Sequence, residues 1–300
     1  MSYKINLTGK KYLIASGDSW TDPYFKSDFH PSLDCSYPKW PEILAERLNL
    51  TVINTARCGA GNIGIYGQVL DEIMQHEPEQ IALVLVGWSK AERSDWERIK
   101  KLSSRGRGRA CKEGEVSTQF GFVWENRTVD LEGNFHSHIR RSHRMYYSLQ
   151  CLCNYLSIPF YQFQMIKPFT NHVFAPDRFS RFKETSTVDE RAHLMHHKFD
   201  KEEWNSPKWT QKLFKDALQY TFEELCTTWR TTDVFDKIDD ERFLNWPVLH
   251  RIGGIGSLDQ IMEEYEKAYC RKMRISQIDQ HPNSEGQVWI ADWLQNYVSE

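Results

Sequence analysis

The sequence predicts an α/β protein whose strands and helices alternate around a parallel sheet, and three observations predict it. Ile81-Ala82-Leu83-Val84-Leu85-Val86-Gly87 is apolar throughout, as expected of a strand covered by helices on both faces. Two shorter runs, Tyr12 to Ala15 and the β-branched Thr51 to Asn54, each lead through a glycine-containing turn or loop into a helical pattern, the order that builds βαβ units. Crossovers between such strands are right-handed. The helices therefore divide between the two faces, giving a three-layer α/β/α sandwich.

Each element has its own justification. Tyr12 to Ala15 is too short for a helix and precedes Gly17-Asp18-Ser19, so it reads as a buried strand ending in a tight turn. An aromatic, proline-punctuated loop from Asp22 to Pro41 follows, and Pro41 opens a helix through Leu48 with Ile43, Leu44 and Leu48 facing the sheet. Thr51 to Asn54 is the second strand, and a helix spans about Asn62 to His76. Beyond the third strand the pattern breaks into charge and glycine, read as an excursion until order returns with a helix over Met145 to Leu156. A fourth strand covers Ile158 to Met165. Helical patterns recur near Trp209 to Trp229 and over Leu258 to Met273, and Gln287 to Leu294 is a closing amphipathic helix. The expected organisation is one domain over residues 1–300 with insertions at about 90–141 and 168–278, the second forming a helical cap.

Composition narrows the functional classes. A chain of 300 residues with 40% hydrophobic content can bury a large core. Its net charge of -3 and pI near 6.4 argue against nucleic acid or an anionic membrane as the main partner. No run approaches transmembrane length and the first residues lack a signal-peptide core, so a cytoplasmic location is expected. Seven scattered cysteines without Cys-x-x-Cys spacing point to reduced thiols and not to a zinc site.

The turns after the first three strands, carrying Ser19, Gly59 to Asn62 and Gly87 to Ser89, fall on one rim of a doubly wound sheet, where such folds bind ligands. Asp279-x-His281-Pro282 stands just before the closing helix. A serine hydroxyl is a weak nucleophile until a base takes its proton, and an imidazole base works best when a carboxylate fixes its tautomer. Ser19, His281 and Asp279 are the residue types for those roles. Helix capping by Ser19 is the competing explanation for the first turn.

Gly17-Asp18-Ser19 near the N-terminus, Asn54 with Gly59 five residues later, and Asp279-x-His281-Pro282 near the C-terminus resemble, in order and spacing, blocks of the SGNH/GDSL hydrolases. The resemblance covers roughly the first 90 residues, the fourth strand and the last 25. It implies a flavodoxin-like fold, Ser19 as nucleophile, no cofactor or metal, and an oxyanion hole containing the amides of Ser19 and Gly59. That family's third block usually reads Gly-x-Asn-Asp, whereas this chain has Gly87-Trp88-Ser89-Lys90. Ser89 thus takes the place of the asparagine donor, with Asn62 as another source of a hydrogen bond. Two functions stay open: a serine esterase or deacylase acting on a small-molecule or carbohydrate ester, such as an O-acetyl sugar, and an SGNH-fold binding or structural protein with weak or no catalysis.

Other motifs carry weaker readings. Gly59-Ala60-Gly61-Asn62-Ile63-Gly64 matches the dinucleotide fingerprint, but no acidic residue stands about 20 positions on. His193-x-x-His196-His197 and His136-x-His138 have ligand-like spacing without a matching cysteine or glutamate framework, and read as surface histidines. Arg105-Gly-Arg107-Gly-Arg109 reads as a solvated loop, with phosphate binding as the alternative. Trp204, Trp209, Trp229 and Trp246 read chiefly as packing, with stacking on a sugar as the alternative.

Overall fold

The computed structural model describes residues 11–91, 93–99, 116–122, 135–168 and 222–298, together with Gly9. Its centre is a four-stranded parallel sheet made of β1 (Tyr12–Ser16), β2 (Thr51–Asn54), β3 (Ile81–Trp88) and β6 (Phe160–Gln164), in the order β2-β1-β3-β6. That order begins as flavodoxin-like sheets do. The fold class expected from the sequence is the one observed.

β3 is buried along its whole length. Its side chains alternate between two cores, as the pleat of a strand requires: Val84, Val86 and Trp88 enter one, Leu83 and Leu85 the other. The first core is closed by α2 (Asn62–Gln75), α3 (Phe135–Tyr155) and α4 (Phe222–Arg230), through residues such as Ile65, Val69, Leu149 and Trp229. The second is closed by α1 (Trp40–Arg47), α5 (Leu258–Tyr269) and α6 (Ser284–Val298), through Trp40, Leu44, Met262, Ile290 and Leu294. Helices on both faces make the three layers.

Two elements depart from the sequence reading. The region after β3 is not without order: β4 (Arg93–Ile99) and β5 (Val116–Phe122) pair as an antiparallel ribbon. Their charged and glycine-containing sequences hide the period-two pattern on which the reading depended. Likewise α3 begins ten residues before the expected Met145, because its first turns are rich in His, Arg and Ser. Of the helical pattern expected near Trp209 to Trp229, residues 209–221 lie outside the described residues, and α4 covers the rest from Phe222. From there the chain packs on the sheet's flank, with the Gln162 amide donating to the Arg242 carbonyl and the Leu244 amide to the Gln162 carbonyl. No helix among the described residues is long and apolar enough to cross a membrane.

Candidate active site

β1 ends at Ser16 and the chain turns through Gly17-Asp18-Ser19 over the carboxyl edge of the sheet. Asp18 holds the turn. Its carbonyl accepts from the Thr21 and Asp22 amides, at 2.9 and 3.1 Å, and its Oδ1 from the Trp20 amide at 3.1 Å. Gly17 is required by crowding, since a Cβ there would lie 2.5 Å from Thr21 Oγ1 and 3.2 Å from the Gly87 carbonyl oxygen. Ser19 is left 6% exposed, at the floor of an open pocket.

The loop after β2 is tied to the same turn. The Arg57 amide donates to the Gly17 carbonyl at 3.2 Å and the Cys58 amide to Asp22 Oδ2 at 2.8 Å. Gly59 has φ +81°, a left-handed conformation that glycine adopts without strain. Asn54 fixes the base of this corner by donating to the Thr21 carbonyl and to Glu42 Oε1, both at 2.8 Å. Among the described residues, the amides of Ser19 and Gly59 donate to no protein acceptor.

The last stretch arrives from the opposite end of the chain. The Ile275 amide donates to the His281 carbonyl, Tyr37 Oη to the Pro282 carbonyl, and Asn283 Oδ1 caps α6 by accepting from the Gly286 amide. These bonds present His281 to Ser19. His281 Nε2 lies 2.7 Å from Ser19 Oγ, and His281 Nδ1 lies 2.6 Å from Asp279 Oδ1. Burial pushes the Asp279 carboxyl up, but bonds from Ser27 Oγ, the His281 ring and the His281 amide outweigh it and hold the group below its ordinary range. An ionised carboxylate accepts only, so Nδ1 carries the ring proton and Nε2 is left to accept from Ser19.

Three groups around this chain gave no signal in the sequence. Ser27 Oγ donates to Asp279 Oδ2, on the oxygen that His281 does not use, and accepts from the His30 amide. His30 Nε2 reaches Ser276 Oγ at 2.8 Å, and that hydroxyl accepts from the Asp279 amide. The Phe25 ring lies over the imidazole of His281, with centroids 4.2 Å apart. All three come from the loop between β1 and α1, where an isolated Ser, His or Phe has no spacing to mark it.

The structure does not bring the side chains of Ser89 and Asn62 to the same task. Ser89 is fully buried; its hydroxyl donates to Asp18 Oδ2 at 3.0 Å and accepts from Arg93 Nη1 at 2.7 Å. A hydroxyl has one proton, and Asp18 takes it. Asn62 Nδ2 donates to Ser142 Oγ and Tyr146 Oη, at 3.0 and 3.2 Å, while its Oδ1 accepts from the Ser89 amide at 2.8 Å. Arg93, the first residue of β4, also bonds Asp18 Oδ2 at 2.9 Å and the Ala60 carbonyl at 3.1 Å. The expected excursion thus delivers a cation to this wall.

The alternative motifs resolve physically where they are described. Asp95 in β4 accepts from the Gly61 and Gly64 amides at 2.7 and 2.6 Å, so a carboxylate fills the place at the start of α2 where a dinucleotide phosphate would sit. His136 Nδ1 is hydrogen-bonded with Thr228 Oγ1 and His138 is buried, so that pair is not a surface one. His193, His196, His197, the Arg105 to Arg109 run, Trp204 and Trp209 lie outside the described residues. Among those described, no three His, Cys, Asp or Glu side chains converge as metal ligands. Trp229 is fully buried, packed edge-on against His143, with Trp246 beside it. Burial pushes the His143 imidazole down to about 3, which makes it a neutral core group.

No family model matches the sequence, and no curated protein matches it. Among solved structures, the chain is similar to the acetyl xylan esterase AlAXEase, at 11% identity and a TM-score of 0.41, covering 96% of this chain and 99% of that one. It is also similar to a candidate GDSL-like lipase from Parabacteroides merdae ATCC 43184, at 11% identity and a TM-score of 0.40, covering 99% of each chain. Likeness at these levels carries no conclusion about activity.

Proposed function

We propose that this protein is a serine esterase or deacylase that works through an acyl-serine intermediate. The observation that carries the reading is the unbroken chain Ser19 Oγ to His281 Nε2, His281 Nδ1 to Asp279 Oδ1, opening at its serine end into a pocket. Ser19 Oγ attacks the acyl carbonyl carbon while His281 Nε2 takes its proton. The tetrahedral intermediate collapses as His281 returns that proton to the departing alcohol oxygen, leaving the acyl group on Ser19. Water then repeats the sequence, giving the carboxylic acid and the free serine.

Developing charge on the carbonyl oxygen is met by the Ser19 and Gly59 amides, which have no protein acceptor among the described residues. With the Ser89 hydroxyl turned to Asp18, the hole has two amide donors. A missing third donor typically costs about 2.7–4 kcal/mol of transition-state stabilisation, which makes this a slower catalyst than a three-donor relative. The same observation favours the second reading, a binding protein on this fold. Hydrolysis of 4-nitrophenyl acetate by wild type and Ser19→Ala, with fluorophosphonate labelling alongside, decides between them. The esterase reading expects labelling and hydrolysis in wild type and neither in the variant; equal rates in both would remove it.

A further inference from the structure

His281 reaches Ser19 from residues 270–283, the stretch between α5 and α6, which forms neither helix nor strand beyond one isolated bridge. Such a stretch holds a ring nitrogen 2.7 Å from a hydroxyl only if something fixes it. Arg274 holds it from both sides. Its backbone pairs antiparallel with Pro282, its carbonyl accepts from Asn283 Nδ2 at 3.2 Å, and the amide of Ile275 next to it donates to the His281 carbonyl at 2.9 Å. Its side chain returns to the residue before His281, with Nη1 donating to the Gln280 carbonyl at 3.1 Å.

The rest of the guanidinium is anchored on α5. Nη1 donates to Asp259 Oδ1 at 2.7 Å, Nη2 to the Asp259 carbonyl at 2.9 Å and Nε to Glu266 Oε2 at 2.8 Å. Four of its five N–H donors are thereby used. Asp259 is itself tied to the sheet, its amide donating to the carbonyl of Met165, just past β6, at 2.8 Å. The guanidinium carbon also lies 5.5 Å from the centre of the Trp20 ring, within cation–π range, and Trp20 follows the nucleophile. One side chain thus touches the neighbour of Ser19, the neighbour of His281 and the helix fixed to the sheet edge. It is 9% exposed and lines the pocket. Ion pairs this deeply placed add little net stability, because desolvation offsets their attraction. What they add here is geometry.

We infer that Arg274 is a positioning residue that sets the distance between His281 and Ser19. The inference rests on the esterase reading above, because the position of His281 is read through the proton it moves. A reacting group displaced by about 1 Å can lose about 10²-fold in rate. His281 serves acylation and deacylation alike, so loosening it lowers kcat and kcat/KM together and leaves KM nearly unchanged.

The test compares wild type, Ser19→Ala and Arg274→Ala on 4-nitrophenyl acetate. The expected result for Arg274→Ala is a fall in kcat of about 10²-fold with KM within about threefold of wild type. Because Arg274→Ala leaves Asp259 and Glu266 without their cation, the measurement is repeated in a triple variant, Arg274→Met with Asp259→Asn and Glu266→Gln, which removes the three charges together. The same loss is expected there, and this variant decides if Arg274→Ala does not fold. Guanidinium ion, added well below the concentration that unfolds the protein, should recover about tenfold of the kcat of Arg274→Ala by bonding the two carboxylates. A kcat within about threefold of wild type in either folded variant would overturn the inference. That holds equally if only the triple variant is active, since the stranded acids would then have caused the fall. A wild type that neither labels with fluorophosphonate nor outpaces Ser19→Ala would overturn the esterase reading and this inference with it, whereas an active wild type beside an equally active Arg274→Ala overturns this inference alone.

Discussion

The two sides of Ser19 treat their polar groups differently. On the base side, His281 is hydrogen-bonded at both ring nitrogens yet keeps part of its side chain in the pocket, 27% exposed. On the opposite side, Ser89 and Asn62 are buried and every proton of their side chains is spent on a protein acceptor. A buried polar group must find a partner or cost stability. What separates the two sides is therefore not residue type but whether the fold leaves a bond to make. The base side leaves His281 facing a serine, and on the opposite side, among the described residues, the Ser19 and Gly59 amides are left without a protein acceptor.

The largest expected effect breaks the base side. In Asp279→Asn the amide can donate to His281 Nδ1 instead of accepting from it, which selects the tautomer in which Nε2 carries the proton and can no longer take one from Ser19. Loss of the carboxylate in a serine-histidine-aspartate site lowers kcat by about 10⁴-fold. The same order of loss is expected here with KM little changed, read on 4-nitrophenyl acetate. A fall of less than about tenfold would mean that the chain from Ser19 to Asp279 is not the catalytic one.

A smaller effect sharpens the donor side. Ser89→Ala removes the hydroxyl that donates to Asp18 and accepts from Arg93, and leaving buried groups short of a partner costs about 1–3 kcal/mol of stability. If Ser89 were an oxyanion donor, kcat would fall by about 10² to 10³-fold. Because its proton goes to Asp18, the expected outcome is a lower melting temperature with kcat reduced by less than about tenfold. A large kcat loss at unchanged stability would return Ser89 to the hole.

How much of this was readable in the sequence follows the same division. The sheet was legible because β3 is apolar along its length and β1 and β2 run straight into turn chemistry, and the structure reproduces their bounds to within a residue. Ser19, His281 and Asp279 were legible because their spacing along the chain matches ordered blocks. Ser27 and Phe25 were not, since they act through contacts across about 250 residues of sequence, with no periodicity to mark them. Arg93 was hidden for another reason. It opens a ribbon whose sequence reads as charge and glycine, and only the fold shows that it returns to Asp18. Ser89 misled because a residue's position in a block says where its backbone lies, not where its one proton points.

The smallest effect concerns acid stability, and it tests whether the base side is as tightly held as its hydrogen bonds indicate. The carboxyl of Asp279 is held below its ordinary value of 3.8 in the folded protein by Ser27 and His281, against the upward push of burial. Its unfolded form therefore binds a proton at a higher pH than its folded form does. The resulting stabilisation is fully present above the unfolded value and is lost as pH falls through the folded one, because stability decreases wherever the unfolded state binds more protons. Urea unfolding measured in steps downward from pH 5 should show wild type losing stability faster than Asp279→Asn below about pH 4, where an ordinary aspartate protonates, so that the gap between them narrows. Ser27→Ala, which removes one of the bonds that lower the group, should fall between the two. If wild type and Asp279→Asn ran parallel over this range, Asp279 would titrate alike folded and unfolded, and the grip of Ser27 on it would have to be weaker than the geometry indicates.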